Sequence, residues 1–150
     1  MAEKNNLIHI LLADDDEDDC LLFQDALDDI SQSDRLTVAR DGIHAMTILY
    51  ELLPELPDIV FLDLNMPLKN GFECLSEIKT DNRLAHLPVV IFSTSAQQSA
   101  IDRTYDSGAW LYLKKPDKFS NLKKVLESIL NARRHQKSAQ PPKHDFLLNE

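Results

Sequence analysis

The 150-residue chain predicts an α/β fold: a doubly wound parallel sheet of five strands, built as (βα)5. Two observations carry this. Short, almost wholly apolar runs recur five times along the sequence, and after each comes a stretch with apolar residues at helical spacing. Continuous apolar strands are buried on both faces, and helices between them imply parallel crossovers.

The first run, residues 7–13, is apolar and β-branched apart from His9 and stops at Asp14, which suits a buried strand. Over residues 16–30, Leu22, Ala26 and Ile30 recur at helical spacing behind an acidic first turn, the charge preferred at a helix N-terminus. Residues 36–39 form a second strand, closed by Asp41 and Gly42. A helix over 43–53 ends at Pro54. Residues 58–62 are the third strand, stopping at Asp63; a loop over 65–71 leads to a helix over 72–79. The fourth strand, 89–92, follows Pro88, and a short helix over 97–106 closes at Gly108. The fifth strand, 110–113, precedes Lys115-Pro116, and a last amphipathic helix covers 119–132.

These elements make one unit over residues 1–133, within the usual size of a domain. Residues 134–150 are too few to fold alone. They read as a frayed tail or as a docking arm through Phe146, Leu147 and Leu148.

Composition removes several function classes. No apolar run approaches the ~20 residues of a membrane span, so a cytoplasmic chain without membrane contact is expected. With 3 glycines, neither a GxGxxG loop nor a Walker A loop can be built. Cys20 and Cys74 give no disulfide framework or zinc pattern, and the 5 histidines show no metal spacing. The net charge of −9 resides in the first 30 residues, which hold ten acids and one lysine. Such an acidic pole disfavours direct nucleic-acid binding. The run from Glu17 to Asp19 reads as a solvated helix face.

In open parallel sheets, ligands bind beyond the carboxyl ends of the strands, at the switch point of strand order. For the order 2-1-3-4-5 that point lies between strands one and three. Asp14 and Asp15 follow strand one, Asp63 follows strand three, Ser93 follows strand four and Lys115 follows strand five. Singly, the first two could cap a helix, Asp63 could end a turn, and Ser93 and Lys115 could be solvated loop residues. Together they are chemically matched. Three carboxylates call for a hard divalent cation such as Mg²⁺, and an ionised Asp63 can then attack a phosphoryl group. Ser93 and Lys115 suit the phosphoryl oxygens.

The Leu-Leu-Ala-Asp-Asp block ending at Asp15, the Phe-Leu-Asp-Leu-Asn-Met-Pro block around Asp63 with Gly71, the Pro-Val-Val-Ile-Phe-Ser block ending at Ser93, and Lys115-Pro116 resemble the four motif blocks of response-regulator receiver domains. The resemblance covers residues 7–133 and implies a flavodoxin-like, CheY-like fold. It implies Asp63 as phosphoacceptor and Mg²⁺ held by Asp14 (through water), Asp15, Asp63 and the backbone carbonyl of Asn65. It implies Ser93 and Lys115 as phosphoryl ligands, Ser93 and Tyr112 as switch residues, and a cis Lys115–Pro116 bond. Asn65 and Ser95 stand where the family tunes dephosphorylation.

The function so implied is that of a stand-alone bacterial response regulator in a two-component or phosphorelay system. A histidine kinase or phosphotransfer protein would supply the phosphoryl group. An unidentified downstream protein would read helix 4, strand 5 and helix 5, roughly residues 97–132. A symmetric homodimer through helices 4 and 5 is compatible with this, and so is a partner kinase of the phytochrome type. Chemistry would be limited to slow self-catalysed phosphorylation and dephosphorylation. Two other readings stay open. A Mg²⁺-dependent phosphohydrolase would need an acid where Asn65 places an amide, and a phosphate-independent binding module would not need the intact acidic set.

Overall fold

The computed structural model describes residues 7–135 and 139–148. Residues 1–6 of the expected domain, and 136–138 and 149–150 of the extension, lie outside the described residues. The elements are β1 (His9–Ala13), α1 (Glu17–Ile30), β2 (Arg35–Ala39), α2 (Gly42–Leu52), β3 (Ile59–Leu62), α3 (Gly71–Thr80), β4 (Val89–Ser93), α4 (Gln98–Asp106), β5 (Leu111–Lys114), α5 (Phe119–Arg134), α6 (Lys143–Phe146) and β6 (Leu147–Leu148). All strand pairs are parallel, in the order β2-β1-β3-β4-β5-β6. The expected order 2-1-3-4-5 is present, with one strand added at the β5 edge.

The alternation of side chains along each strand builds two cores. Leu11, Val60, Leu62, Val89 and Ile91 face α2, α3 and α4. Ile10, Leu12, Phe61, Val90 and Phe92 face α1 and α5. In the second core Phe23, Phe61 and Phe92 pack edge to face, with centroids 5.0–6.3 Å apart, the arrangement the ring quadrupoles favour. All four residues of β3 are buried, as expected for a central strand covered on both sides.

Helix starts are set by short polar side chains. Asp16 caps α1 and Asp41 caps α2, each accepting from the backbone N–H three residues on. Asn70 and Glu73 form a reciprocal capping box on α3. Asp16 therefore starts the helix, as its sequence position suggests.

The extension docks rather than frays. Gln140 donates from Nε2 to the carbonyls of Tyr105 and Ala109, at 2.8 and 2.7 Å. Tyr105 donates to the Pro141 carbonyl at 2.9 Å, and Lys143 pairs with Asp102 at 2.6 Å. Phe146 is fully buried against Tyr105 and Tyr112, and β6 aligns Leu147 with Tyr112 and Leu148 with Leu113. The cis bond expected at Lys115–Pro116 is not found: that bond is trans, and among the described residues the cis bond is Leu53–Pro54.

Candidate functional site

The parallel ladders place the carboxylates. Asp63 N–H donates to the Ala13 carbonyl at 2.9 Å, which sets Asp63 beside Asp14 where β1 and β3 end. Lys115 N–H donates to the Ser93 carbonyl at 2.8 Å and brings the ends of β4 and β5 level. Gly71 lets α3 start against the phosphoacceptor candidate. A Cβ there would lie 2.2 Å from the Asp63 carbonyl oxygen, while its N–H donates to Leu64 O at 3.0 Å.

Asp14, Asp15 and Asp63 can each offer an oxygen such that all three lie within 4.8 Å of one another. Asp14 and Asp63 are buried and Asp15 is exposed. Asp14 Oδ1 accepts from Asp16 N–H at 2.9 Å. Its Oδ2 is buried without a hydrogen bond and faces Lys115 Nζ at 2.8 Å as an ion pair out of hydrogen-bond alignment. Lys115 Nζ also lies 2.7 Å from Asp19 and 3.7 Å from Asp63.

Burial pushes the Asp63 carboxyl up to about 6, with Asp14 adding to the rise and Lys115 opposing it. Burial likewise raises Asp14 against the pull of Lys115. For Lys115 burial acts downward, but Asp14 and Asp19 outweigh it and hold the ammonium above its ordinary range. Three carboxylates that can each offer an oxygen within 4.8 Å of the others, open on the exposed Asp15 side, fit a divalent cation.

Ser93 is buried at the end of β4, and its Oγ accepts from Ser95 N–H at 3.3 Å. Asn65 is exposed, and its N–H reaches Asp63 Oδ1 at 3.4 Å. Tyr112 stands inward and fully buried, its hydroxyl donating to the Ser95 carbonyl at 2.6 Å. Ser93, Ser95, Asn65 and Tyr112 share a cavity of about 500 Å³, walled by Phe72 and by Arg103, whose guanidinium stacks 4.1 Å from the Phe72 ring centroid. A larger hollow of about 840 Å³ lies at the opposite, N-terminal ends of the strands, beside His9 and Asp58. It includes none of the predicted site residues.

All the predicted residues therefore meet at one end of the sheet. Sequence reasoning missed Asp19, which it assigned to a solvated face. No signal in the sequence sets it apart, because it lies in an unbroken acidic run from Asp14 to Asp19. The two cysteine thiols are pushed up by burial, Cys20 to about 11 and Cys74 to about 12, which leaves them protonated and unreactive.

A family profile described as the response regulator receiver domain matches residues 10–127. The chain belongs to this family. The receiver is 35% identical over 125 residues to response regulator Rcp1 of Synechocystis sp., covering 80% of this chain and 84% of that protein. It is 36% identical over 125 residues to the probable methanogenesis regulatory protein FilR2 of Methanothrix harundinacea, covering 80% and 79%. Among solved structures, the phosphorylated cyanobacterial phytochrome response regulator RcpA superposes with a TM-score of 0.78 at 32% identity, covering 91% of this chain and 99% of that one. A Mn²⁺-bound form of Rcp1 gives 0.73 at 30% identity, covering 90% and 99%. The receiver is thus a member of a signalling family with bacterial relatives, and its aspartate cluster could hold a divalent metal. Among the described residues no helix is long and apolar enough to cross a membrane.

Proposed function

We propose that this receiver takes a phosphoryl group from a histidine kinase or phosphotransfer protein onto Asp63. The observation that carries the reading is the convergence of Asp14, Asp15 and Asp63 within 4.8 Å, with Lys115 beside Asp14 and Asp63. Asp63, Asp15 and the Asn65 carbonyl would hold Mg²⁺ directly and Asp14 through water. Bound there, Mg²⁺ supplies the positive charge that keeps Asp63 ionised and shields it from the phosphoryl oxygens.

Asp63 Oδ attacks the phosphorus of a phosphohistidine. The new O–P bond forms as the N–P bond breaks, and the departing imidazole nitrogen takes up a proton. Lys115 and the Ser93 hydroxyl bind the transferred oxygens, so the residues act by positioning and charge. Hydrolysis of the acyl phosphate returns the carboxylate slowly, with Asn65 and Ser95 bordering the path of water.

The switch couples Ser93 to Tyr112. The phosphoryl group adds charge and acceptors at Asp63, Ser93 moves toward it, and the inward position of Tyr112 becomes favoured. That biases a two-state equilibrium at α4, β5 and α5, roughly residues 97–132. A downstream protein or a second copy of the chain reads this surface. The protein works in the cytoplasm as a response regulator, with residues 1–133 as its receiver unit and 134–150 as an appended arm. The resemblance to phytochrome response regulators favours a phytochrome-type kinase as its partner.

Intact mass after incubation with acetyl phosphate and Mg²⁺ tests the reading. One phosphoryl adduct is expected in the wild type and none in Asp63→Asn or a chelated control. Sustained turnover of a phosphate ester without an adduct would move the assignment to a phosphohydrolase.

A further inference from the structure

Among the described residues Lys115 has three carboxylate neighbours, and the nearest is Asp19, which is not in the aspartate cluster. Its Oδ2 accepts from Lys115 Nζ at 2.7 Å across a sequence separation of 96 residues. Asp63 Oδ2, where the phosphoryl group would be attached, is 3.7 Å away. The lysine is held tightly: its side chain is 10% exposed, and Nζ sits 5.2 Å from the Phe92 ring centroid. The backbone of Asp19 is set by the helix start, where its N–H donates to the capping Asp16 at 3.1 Å. The ammonium is therefore drawn toward α1.

We propose that Asp19 is a positioning residue that competes with the phosphoryl oxygens for Lys115. This rests on the reading of Asp63 as phosphoacceptor. Only three N–H groups are available on the ammonium. The one engaged by Asp19 is withheld from a ligand on Asp63, and a carboxylate beside the site also repels an incoming anion. Asp19 thereby weakens the phosphorylated state and shortens its lifetime. It does so without ligating the metal and without touching the phosphoryl group.

The test uses the full chain and beryllofluoride, a tetrahedral phosphoryl mimic, titrated with Mg²⁺ present. Asp19→Asn is expected to bind beryllofluoride roughly three- to tenfold more tightly, the scale of one charge-assisted contact released. Its acyl phosphate should last longer by a similar factor. Asp19→Glu should restore wild-type affinity within about twofold. In a Lys115→Met background the gain from Asp19→Asn should shrink to at most about twofold, since a double-mutant cycle isolates the pairwise coupling. Mg²⁺ binding measured alone by calorimetry should weaken by no more than about threefold.

Unchanged or weaker beryllofluoride binding in Asp19→Asn, or an equal gain without Lys115, overturns the proposal while the phosphoacceptor reading stands. Wild-type protein that binds Mg²⁺ but takes up no beryllofluoride overturns both. Loss of Mg²⁺ binding in Asp19→Asn would make Asp19 a metal ligand and overturns the proposal alone. All variants are compared by circular dichroism, and Asp19, 27% exposed, is replaced by a side chain of the same shape.

Discussion

Tyr112 and Phe146 meet edge to face, ring centroids 6.2 Å apart and planes at 68°. One is the expected switch aromatic and the other belongs to the C-terminal arm, so the arm covers the side of Tyr112 that would otherwise open to solvent. Phe146→Ala should undock the arm. The expected stability loss is up to about 3 kcal/mol, at the low end for a buried phenylalanine because only the arm need be released. Hydrogen exchange should speed up at the β6 amides and stay slow in β1 and β3. Uniform loss of protection would mean that the arm is part of the central folding unit.

Asp63 gives a pH dependence with a definite sign. Its folded-state carboxyl is raised to about 6, above the ordinary aspartate value of ~3.9. The folded protein then binds the proton more tightly than the unfolded chain. This group's contribution is favourable below about pH 4 and is lost as pH rises through about 6. Without metal, Asp63→Asn should therefore stabilise the protein on the order of 1–3 kcal/mol at pH 7.5 and little at pH 4. Urea unfolding in chelator at the two pH values checks this. With metal the sign reverses, because protons compete for the same oxygen. Mg²⁺ affinity should fall as pH drops below about 6.

Gly71 and Gly108 separate two reasons for glycine. At Gly71 a Cβ would sit 2.2 Å from the Asp63 carbonyl oxygen, so Gly71→Ala must move the β3–α3 junction. At Gly108 the neighbours lie 3.5 Å away or farther, and the cost is the positive φ of 97°. We expect about 1 kcal/mol for Gly108→Ala with phosphorylation intact. Gly71→Ala should cost more than about 2 kcal/mol and also slow phosphorylation from acetyl phosphate.

Leu68 has φ of 71° and is 77% exposed. A large apolar side chain in the left-handed region carries strain with no burial in return. Leu68→Asn should gain about 0.5–1 kcal/mol, read as a higher urea midpoint with an unchanged slope.

Most of the sheet was legible because its central strands are buried on both faces, and burial leaves continuous apolar runs such as 59–62. The four strand-end groups were legible for a related reason: a polar residue that stops such a run marks the carboxyl edge. The arm was less so. A strand of two residues carries no pattern of its own and exists because β5 offers an edge to pair with. Asp19 was hidden by its neighbours, since in the run from Asp14 to Asp19 only the folded position of Lys115 separates a buried ion-pair partner from solvated acids.

The pairing of β6 with β5 bears on how the protein behaves in solution as well as on how it signals. Without it, β5 would be a bare margin of the sheet, with backbone donors and acceptors exposed beside Tyr112 and Leu113. Sheets guard such margins because they recruit other chains. Leu147 and Leu148 cover that margin, and the arm should thereby keep the protein dispersed. A version shortened at Arg134 should clump at concentrations where the full chain stays dispersed, even if its phosphoacceptor chemistry is untouched.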